Sequence, residues 1–173
     1  MSTAFSTPAA DRLDVKILDI LWRDGRITKA RMSEEIGLSP PRCWERMKRM
    51  EKAKLIRSYH ADVNLAKLAG LTTFLAQVHI KNYSSQAAQL FETMVRENDN
   101  VLSCQRLLGS IDYLIIIGAF GIEHYQEIIE KMMNAGRVQF DYTTFPVVKT
   151  VKTEHAVSLA KLLESRPAEV EAD

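Results

Sequence analysis

The chain has 173 residues, 46% of them hydrophobic and 26% charged, with 23 Lys and Arg against 22 Asp and Glu for a net charge of +1. This length makes one ordinary domain or two small ones, and the longest dense apolar run, Tyr113 to Phe120, is far short of the ~20 residues a membrane-spanning helix needs. The two cysteines, Cys43 and Cys104, fall in separate predicted units, which argues against a disulfide and fits a reducing cytoplasm.

The opening MSTAFSTPAAD lacks a basic start and an apolar core, so a floppy arm is expected rather than a signal peptide. Residues 14–23 then place Val15, Leu18, Leu21 and Trp22 at helical spacing, with Ile17 and Ile20 widening the stripe. Asp14 is the expected cap, and Gly25 the stop. Thr28 is a good N-cap for a second helix reaching Ile36, whose apolar positions are Ala30, Met32 and Ile36. Gly37 suits a left-handed turn. Ser39 is the expected cap of a third helix, with Pro40 or Pro41 in its first turn.

The third helix divides sharply by angle. At about 100° per residue, Cys43, Met47 and Met50 fall on one side. Arg42, Glu45, Lys48, Arg49 and Lys52 fall on the other, and Arg46 lies at the boundary. Two short helices around a tight turn, the second with a dry face and a cationic face, form the pattern of a helix-turn-helix DNA reader. Charge supports it: Arg12 to Arg57 holds thirteen Lys and Arg against seven Asp and Glu, whereas the remainder holds ten against fifteen. A basic front on an acidic rear suggests that one part carries a nucleic-acid face. Arg42 and Arg46, near the helix start, are the expected base readers. Arg49 and Lys52 are expected on phosphates. Thr28 and Lys29 open the second helix, whose amides can also receive a phosphate. Ser39 has three readings: cap, phosphate contact, or both. Trp44 is expected to wedge between helices.

Residues 55–63 read as a short strand and Asn64 to Gly70 as a hinge. Phe74, Ala76, Val78 and Ile80 then alternate with Leu75, Gln77, His79 and Lys81, which predicts a strand. Ser84 to Glu97 predicts an amphipathic helix with Ala87, Leu90, Phe91, Met94 and Val95 inward. Val101 to Leu108 and Tyr113 to Phe120 predict strands around a tight turn at Gly109 to Asp112. Gly121 to Ala135 predicts a helix with Tyr125, Ile128, Ile129 and Met132 inward, and Phe140 to Val148 a last strand. The order β-α-β-β-α-β is that of a ferredoxin-like split sandwich. Thr153 to Leu163 suits a short final helix, and the acidic Arg166 to Asp173 a disordered tail. The fold class expected is therefore α+β, with a helix-turn-helix domain at 12–63, a hinge at 64–71, a ferredoxin-like domain at 72–155, and a C-terminal helix and tail at 156–173.

Catalytic signatures are missing from the sequence. His60, His79, His124 and His155 are scattered without metal-ligand spacing, and no nucleophile elbow, phosphate loop or dinucleotide fingerprint occurs. Neither an enzyme nor a cofactor is expected.

Four segments together resemble the Lrp/AsnC family of leucine-responsive and feast/famine regulators. They are Leu13 to Leu21, Asp24-Gly25-Arg26-Ile27, Ile36-Gly37-Leu38-Ser39-Pro40, and Cys43-Trp44-Glu45-Arg46-Met47-Lys48-Arg49-Met50-Glu51. Gly109-Ser110-Ile111-Asp112-Tyr113 resembles the family's Gly-Asp-x-Asp-Tyr turn, and the likeness runs in order over residues 12 to 155. The Cys-Trp-Glu-Arg version of the third helix is similar to members beside ectoine-breakdown genes.

The resemblance implies a winged or wing-like helix-turn-helix domain, a hinge strand, and a ligand-sensing domain that dimerises through sheet faces. Assembly to tetramers or octamers is implied too, with free amino acids or close metabolites bound in clefts between sensing domains. The expected partners are double-stranded DNA, as a pseudo-palindromic operator, and an amino-acid or amino-acid-derived effector, in a cytoplasmic, nucleoid-associated protein. A DNA-compacting architectural protein without an effector is the alternative.

Two departures from the family pattern bear on the ligand. Ser110 replaces a common acidic residue, and Arg106 stands where an apolar residue is common. The effector residues expected are Arg106, Leu108, Gly109, Ser110, Asp112, Thr144 and Phe145. Arg106 would meet a carboxylate, or run its stem along the strand surface. Asp112 would accept an ammonium, or cap the turn. Gly109 permits close backbone approach, and Thr143, Thr144 and Phe145 would line the same cleft across an interface.

Overall fold

The computed structural model describes residues 10–152 and 157–164. Nearly all of the expected N-terminal arm, and the acidic tail from Arg166, lie outside them. The chain divides into two compact units, one made of the described residues up to Asp62 and from Val151 onward, the other of Val63–Thr150.

The first unit packs α1 (Arg12–Arg23), α2 (Lys29–Ile36) and α3 (Pro40–Lys52) around Ile17, Ile20, Met32, Ile36, Cys43, Met47 and Met50. The first helix begins earlier than Asp14. Asp11 is its N-cap, accepting the amides of Leu13 and Asp14, while Asp14 reaches back to the amide of Asp11 in a capping box. Asp24, not Gly25, closes it. Thr28 caps α2 through the amide of Arg31, and Gly37 takes the left-handed conformation at φ 75°. Ala30 is exposed, contrary to expectation. Ser33 is buried in its stead, its hydroxyl satisfied by the carbonyl of Ala30. A short α7 (Leu159–Glu164) joins this unit, the Ser158 hydroxyl and Leu159 amide both donating to Asp19 Oδ1 on α1. Residues 153–156 of the expected final helix lie outside the described residues.

The strand expected over residues 55–63 does not form. Lys54 turns the chain at φ 58°, and the amides of Leu55 and Ile56 close the end of α3 on the Met50 carbonyl. Residues 57–63 then run exposed with no strand assigned beside them. A strand-like segment makes no strand without a neighbour to pair its backbone.

In the second unit, the segment read as a hinge holds a one-turn helix, α4 (Leu65–Ala69), capped by Asn64 and ended by Gly70 at φ 67°. There follow β1 (Thr72–Ile80), α5 (Ser85–Arg96), β2 (Val101–Arg106), β3 (Tyr113–Ala119), α6 (Ile122–Asn134) and β4 (Phe140–Pro146). The sheet order is β2-β3-β1-β4, every neighbouring pair antiparallel, as a split β-α-β-β-α-β sandwich requires.

The sheet face bearing Phe74, Ala76, Val78, Ile80, Tyr113, Ile115, Ile117 and Phe140 forms one core with Phe91, Met94 and Val95 of α5 and Tyr125, Ile128, Ile129 and Met132 of α6. Phe91 packs between Tyr113, tilted at 39° with centroids 4.7 Å apart, and Phe140, edge-on at 74° with centroids 5.5 Å apart. On α5 the inward set differs slightly from expectation: Ala88 is buried, whereas Leu90 is exposed. Leu75, Leu114 and Ile116, by their alternate register, point to the opposite face.

Candidate nucleic-acid interface and effector turn

The cationic helix face is built by its own core. Cys43 and Met50 are 1% exposed and Met47 8%, so Arg42, Glu45, Lys48 and Lys52 are exposed. With Leu13 and Leu38 these side chains line a shallow depression of about 640 Å³. Ser39 stands at the N-cap position of α3, but its hydroxyl makes no capping hydrogen bond. Pro40 and Pro41 carry no N–H, so the first turn offers Arg42, at the third helical position, as its earliest amide, and the Ser39 hydroxyl does not take it.

Lys29 opens α2 and lies with Nζ 3.7 Å from the centroid of the Trp44 ring; Lys48 Nζ approaches the same ring at 5.2 Å. Trp44 is 36% exposed. It is not wedged between helices as expected, but forms an aromatic plate under two ammonium groups. Helical spacing could not reveal this, because Lys29 and Trp44 meet only when the turn folds α2 onto α3.

Arg46 and Arg49 behave differently from the other cations. Arg46 Nη1 lies 2.6 Å from Asp11 Oδ2 and 2.8 Å from Asp14 Oδ1, and Arg49 Nη2 lies 2.5 Å from Asp14 Oδ2. Asp14 is 1% exposed. Hydrogen bonds from the Asp14 amide, and then from Arg46, hold the Asp11 carboxyl below its ordinary range, and the same carboxylates raise the pKa of Arg46. The structure thus brings Thr28, Lys29, Ser39, Arg42 and Lys52 to the exposed α2–α3 surface, with the guanidiniums of Arg46 and Arg49 drawn onto α1.

The second candidate site is the β2–β3 turn. The Leu107 amide donates to the Asp112 carbonyl and the Asp112 amide to the Val78 carbonyl. Asp112 Oδ2 accepts the Ile80 amide at 2.7 Å and lies 3.1 Å from His79 Nδ1. Asp112 therefore ties the turn to β1. Gly109 has φ 156°, and Leu108 is fully exposed.

Arg106 reaches another neighbourhood. Its guanidinium bonds the Tyr83 hydroxyl and lies 3.8 Å from Glu92 Oε1 on α5. Glu92 also accepts from the Tyr113 hydroxyl, which, together with burial as the larger cause, raises the Tyr113 pKa. Thr144 shares a 2.5 Å hydrogen bond with the Tyr125 hydroxyl, and Phe145 is exposed. Both lie on β4, at the opposite edge of the sheet from β2. The chain therefore groups Leu108, Gly109, Ser110 and Asp112 at the turn, while the Arg106 guanidinium turns to Tyr83 and Glu92 and the β4 pair lies at the other sheet edge. Sequence reasoning missed Tyr83, Glu92 and His79 as partners here, since none carries a motif.

Among the described residues no cluster of His, Cys, Asp and Glu is disposed to hold a metal ion, and no helix is long and apolar enough to cross a membrane.

Residues 11–57 match the family model for a winged helix-turn-helix DNA-binding domain, and residues 73–157 that for the Lrp/AsnC ligand binding domain. The chain is 39% identical over 146 residues to the transcriptional regulatory protein DoeX of Halomonas elongata, an alignment covering 84% of this chain and 92% of the relative. It is 29% identical over 143 residues to the leucine-responsive regulatory protein of Escherichia coli, covering 82% and 87%. Among solved structures, a transcriptional regulator from Neisseria meningitidis in complex with L-Met superposes with a TM-score of 0.78 at 31% identity, covering 89% of this chain and 99% of that one. The relatives are regulators rather than enzymes. With both parts matched in order, and a relative at this identity over most of its length, the chain belongs to the Lrp/AsnC family of DNA-binding transcriptional regulators, with a ligand-binding domain behind its helix-turn-helix.

Proposed function

We propose that the protein binds a pseudo-palindromic operator sequence-specifically, and that an amino acid or amino-acid-derived effector changes its assembly or its DNA affinity. The observation that carries this reading is the exposed Arg42–Glu45–Lys48–Lys52 face, backed by buried Cys43, Met47 and Met50. In this reading α3 enters the major groove and Arg42 reads a base edge, while Lys29, Lys48 and Lys52 neutralise phosphates beside the hydroxyls of Thr28 and Ser39. A bidentate Arg–guanine contact contributes roughly 1–3 kcal/mol of discrimination.

The effector reading rests on the Lrp/AsnC ligand-binding domain and on the L-Met complex of the Neisseria regulator. Because Arg106, the Gly109–Asp112 turn and Thr144–Phe145 are separated within one protomer, a second copy would complete the cleft. The sheet face carrying Leu75, Leu114 and Ile116 is the surface we assign to dimerisation, with tetramers or octamers as the higher assembly. Nucleoid association follows from DNA binding. The ectoine-breakdown resemblance adds the intermediates of that breakdown to the candidate effectors.

Selecting sites from a random DNA library with the full chain and with Arg42→Ala tests the reading. The wild type should enrich one motif with two-fold character, and Arg42→Ala should lose preference at one position of each half-site, by roughly 5- to 150-fold for 1–3 kcal/mol. An unchanged motif in Arg42→Ala refutes the groove assignment. Compaction of any DNA without enrichment, unchanged by amino acids, favours the architectural alternative.

A further inference from the structure

A carboxylate that is 1% exposed demands partners, and Asp14 has them on both oxygens: Arg46 on Oδ1, and Arg49 with the Asp11 amide on Oδ2. Asp11 holds Arg46 from the other side. Two carboxylates of α1 thus face two guanidiniums of α3, and the cluster is neutral. Asp14 lies one helical turn into α1, while Arg46 and Arg49 lie one turn apart on α3, so a single buried group fixes α3 in rotation about its own axis. Arg46 is 24% and Arg49 60% exposed at the side chain, and Arg49 therefore pairs with Asp14 while remaining within reach of solvent.

We propose that Asp14 is a positioning residue for DNA recognition: it seats α3 for groove reading, which favours the selected site, and withholds the Arg49 guanidinium from phosphate, which keeps the sequence-independent share of affinity low. The cationic charge α3 offers to DNA is then that of Arg42, Lys48 and Lys52, less Glu45. Sequence-independent affinity comes from phosphate neutralisation, so a cation held on α1 lowers binding to random and selected sequence alike, without touching base discrimination by Arg42. This inference rests on the reading that α3 enters the groove.

The test measures binding of the full chain to a random-sequence duplex and to its selected site across a salt series. Asp14→Asn keeps an acceptor for the Asp11 amide on the oxygen that also faces Arg49, but removes the charge, so Arg49 loses its ion-pair partner; the new amide nitrogen faces Arg46, which keeps Asp11. The slope of log affinity against log salt on random DNA should steepen by about 0.9 per DNA-binding unit, and affinity there should rise roughly eight-fold at 0.1 M salt. The ratio of selected-site to random affinity should fall because α3 loses the buried charge that seats it, and not because of the added phosphate contact, which both duplexes share. Adding Arg49→Gln to Asp14→Asn should restore the wild-type slope, which a merely structural effect of the first substitution would not allow. Arg49→Gln alone, an exposed substitution, should leave the slope within half a contact of wild type, and decides the matter should Asp14→Asn not fold.

An unchanged slope in folded Asp14→Asn, no restoration in the double variant, or a slope flattened by about one in Arg49→Gln, each overturns the proposal. Failure of the groove reading looks different. In that case Arg42→Ala retains full site preference whatever Asp14 does.

Discussion

Asp112 has two roles that one pair of substitutions separates. Its Oδ2 accepts the amide of Ile80 at 2.7 Å, and Ile80 is 1% exposed. Asp112→Ala strands that buried N–H, at a cost of roughly 1–3 kcal/mol. Both residues lie in the unit Val63–Thr150, and for a domain of that size each kcal/mol lowers Tm by about 4–8 °C, so the expected loss is roughly 4–24 °C. Asp112→Asn retains a carbonyl acceptor for the same amide. What it gives up is the charge facing His79, whose side chain is 61% exposed. Exposed pairs contribute about 0–1 kcal/mol, so Asn should melt within a few degrees of wild type. The assay is thermal denaturation of the full chain by circular dichroism, with and without each amino acid and each ectoine-breakdown intermediate. If the carboxylate also receives the effector's ammonium, Asp112→Asn keeps the wild-type Tm but loses the ligand-induced rise, which for a ligand at a hundred times its Kd is about 2.7 kcal/mol. Asp112→Ala melting with the wild type refutes the structural role. A full ligand-induced rise in Asp112→Asn refutes the recognition role.

Trp44→Leu should release Lys29 and Lys48 from their aromatic plate, removing about 0.5–1 kcal/mol of cation–π attraction per pair. Unlike a carboxylate, the ring leaves the ammonium charge available to phosphate and only fixes its position, so the freed lysines lose more conformational freedom on binding. DNA affinity should then fall several-fold on selected and random sequence alike, and a loss confined to the selected site contradicts this. Cys104 is pushed up to about 11 from 9.0, first by burial and then by the negative charge of Glu92. The thiolate reacts, not the thiol, so near pH 8 this residue should be modified about a hundredfold more slowly in the native protein than in denaturant. Equal rates exclude the buried-thiol environment. Phe91→Ala opens the core between Tyr113 and Phe140, and a chemical-denaturation series should show a cost of about 3–5 kcal/mol.

Periodicity made the second unit legible. Phe74, Ala76, Val78 and Ile80 alternate because one sheet face is covered by helices, and that single cause gives both the sequence pattern and the burial. Gly37 and Thr28 were readable for a different reason, each residue type having a local backbone job that no tertiary contact overrides. Asp14 was not readable in its full role. An acidic residue in the first turn of a helix reads as a surface cap, and only the return of α3 reveals a buried carboxylate with two arginines. Arg46 inherits the same blindness, since a helical wheel gives the face of a side chain and not its partner. Residues 55–63 failed differently: the segment reads like a short strand, but whether a neighbour pairs with it is a long-range fact. The Arg106–Tyr83–Glu92 contacts likewise join strand, loop and helix positions that no spacing rule connects.

The most direct test of the central claim is a titration of the selected operator with the full chain, repeated in the presence of each candidate effector. Saturable binding that one amino-acid-like compound shifts several-fold, at concentrations that also raise Tm, is the predicted result. Operator binding unmoved by every compound in the panel would contradict it.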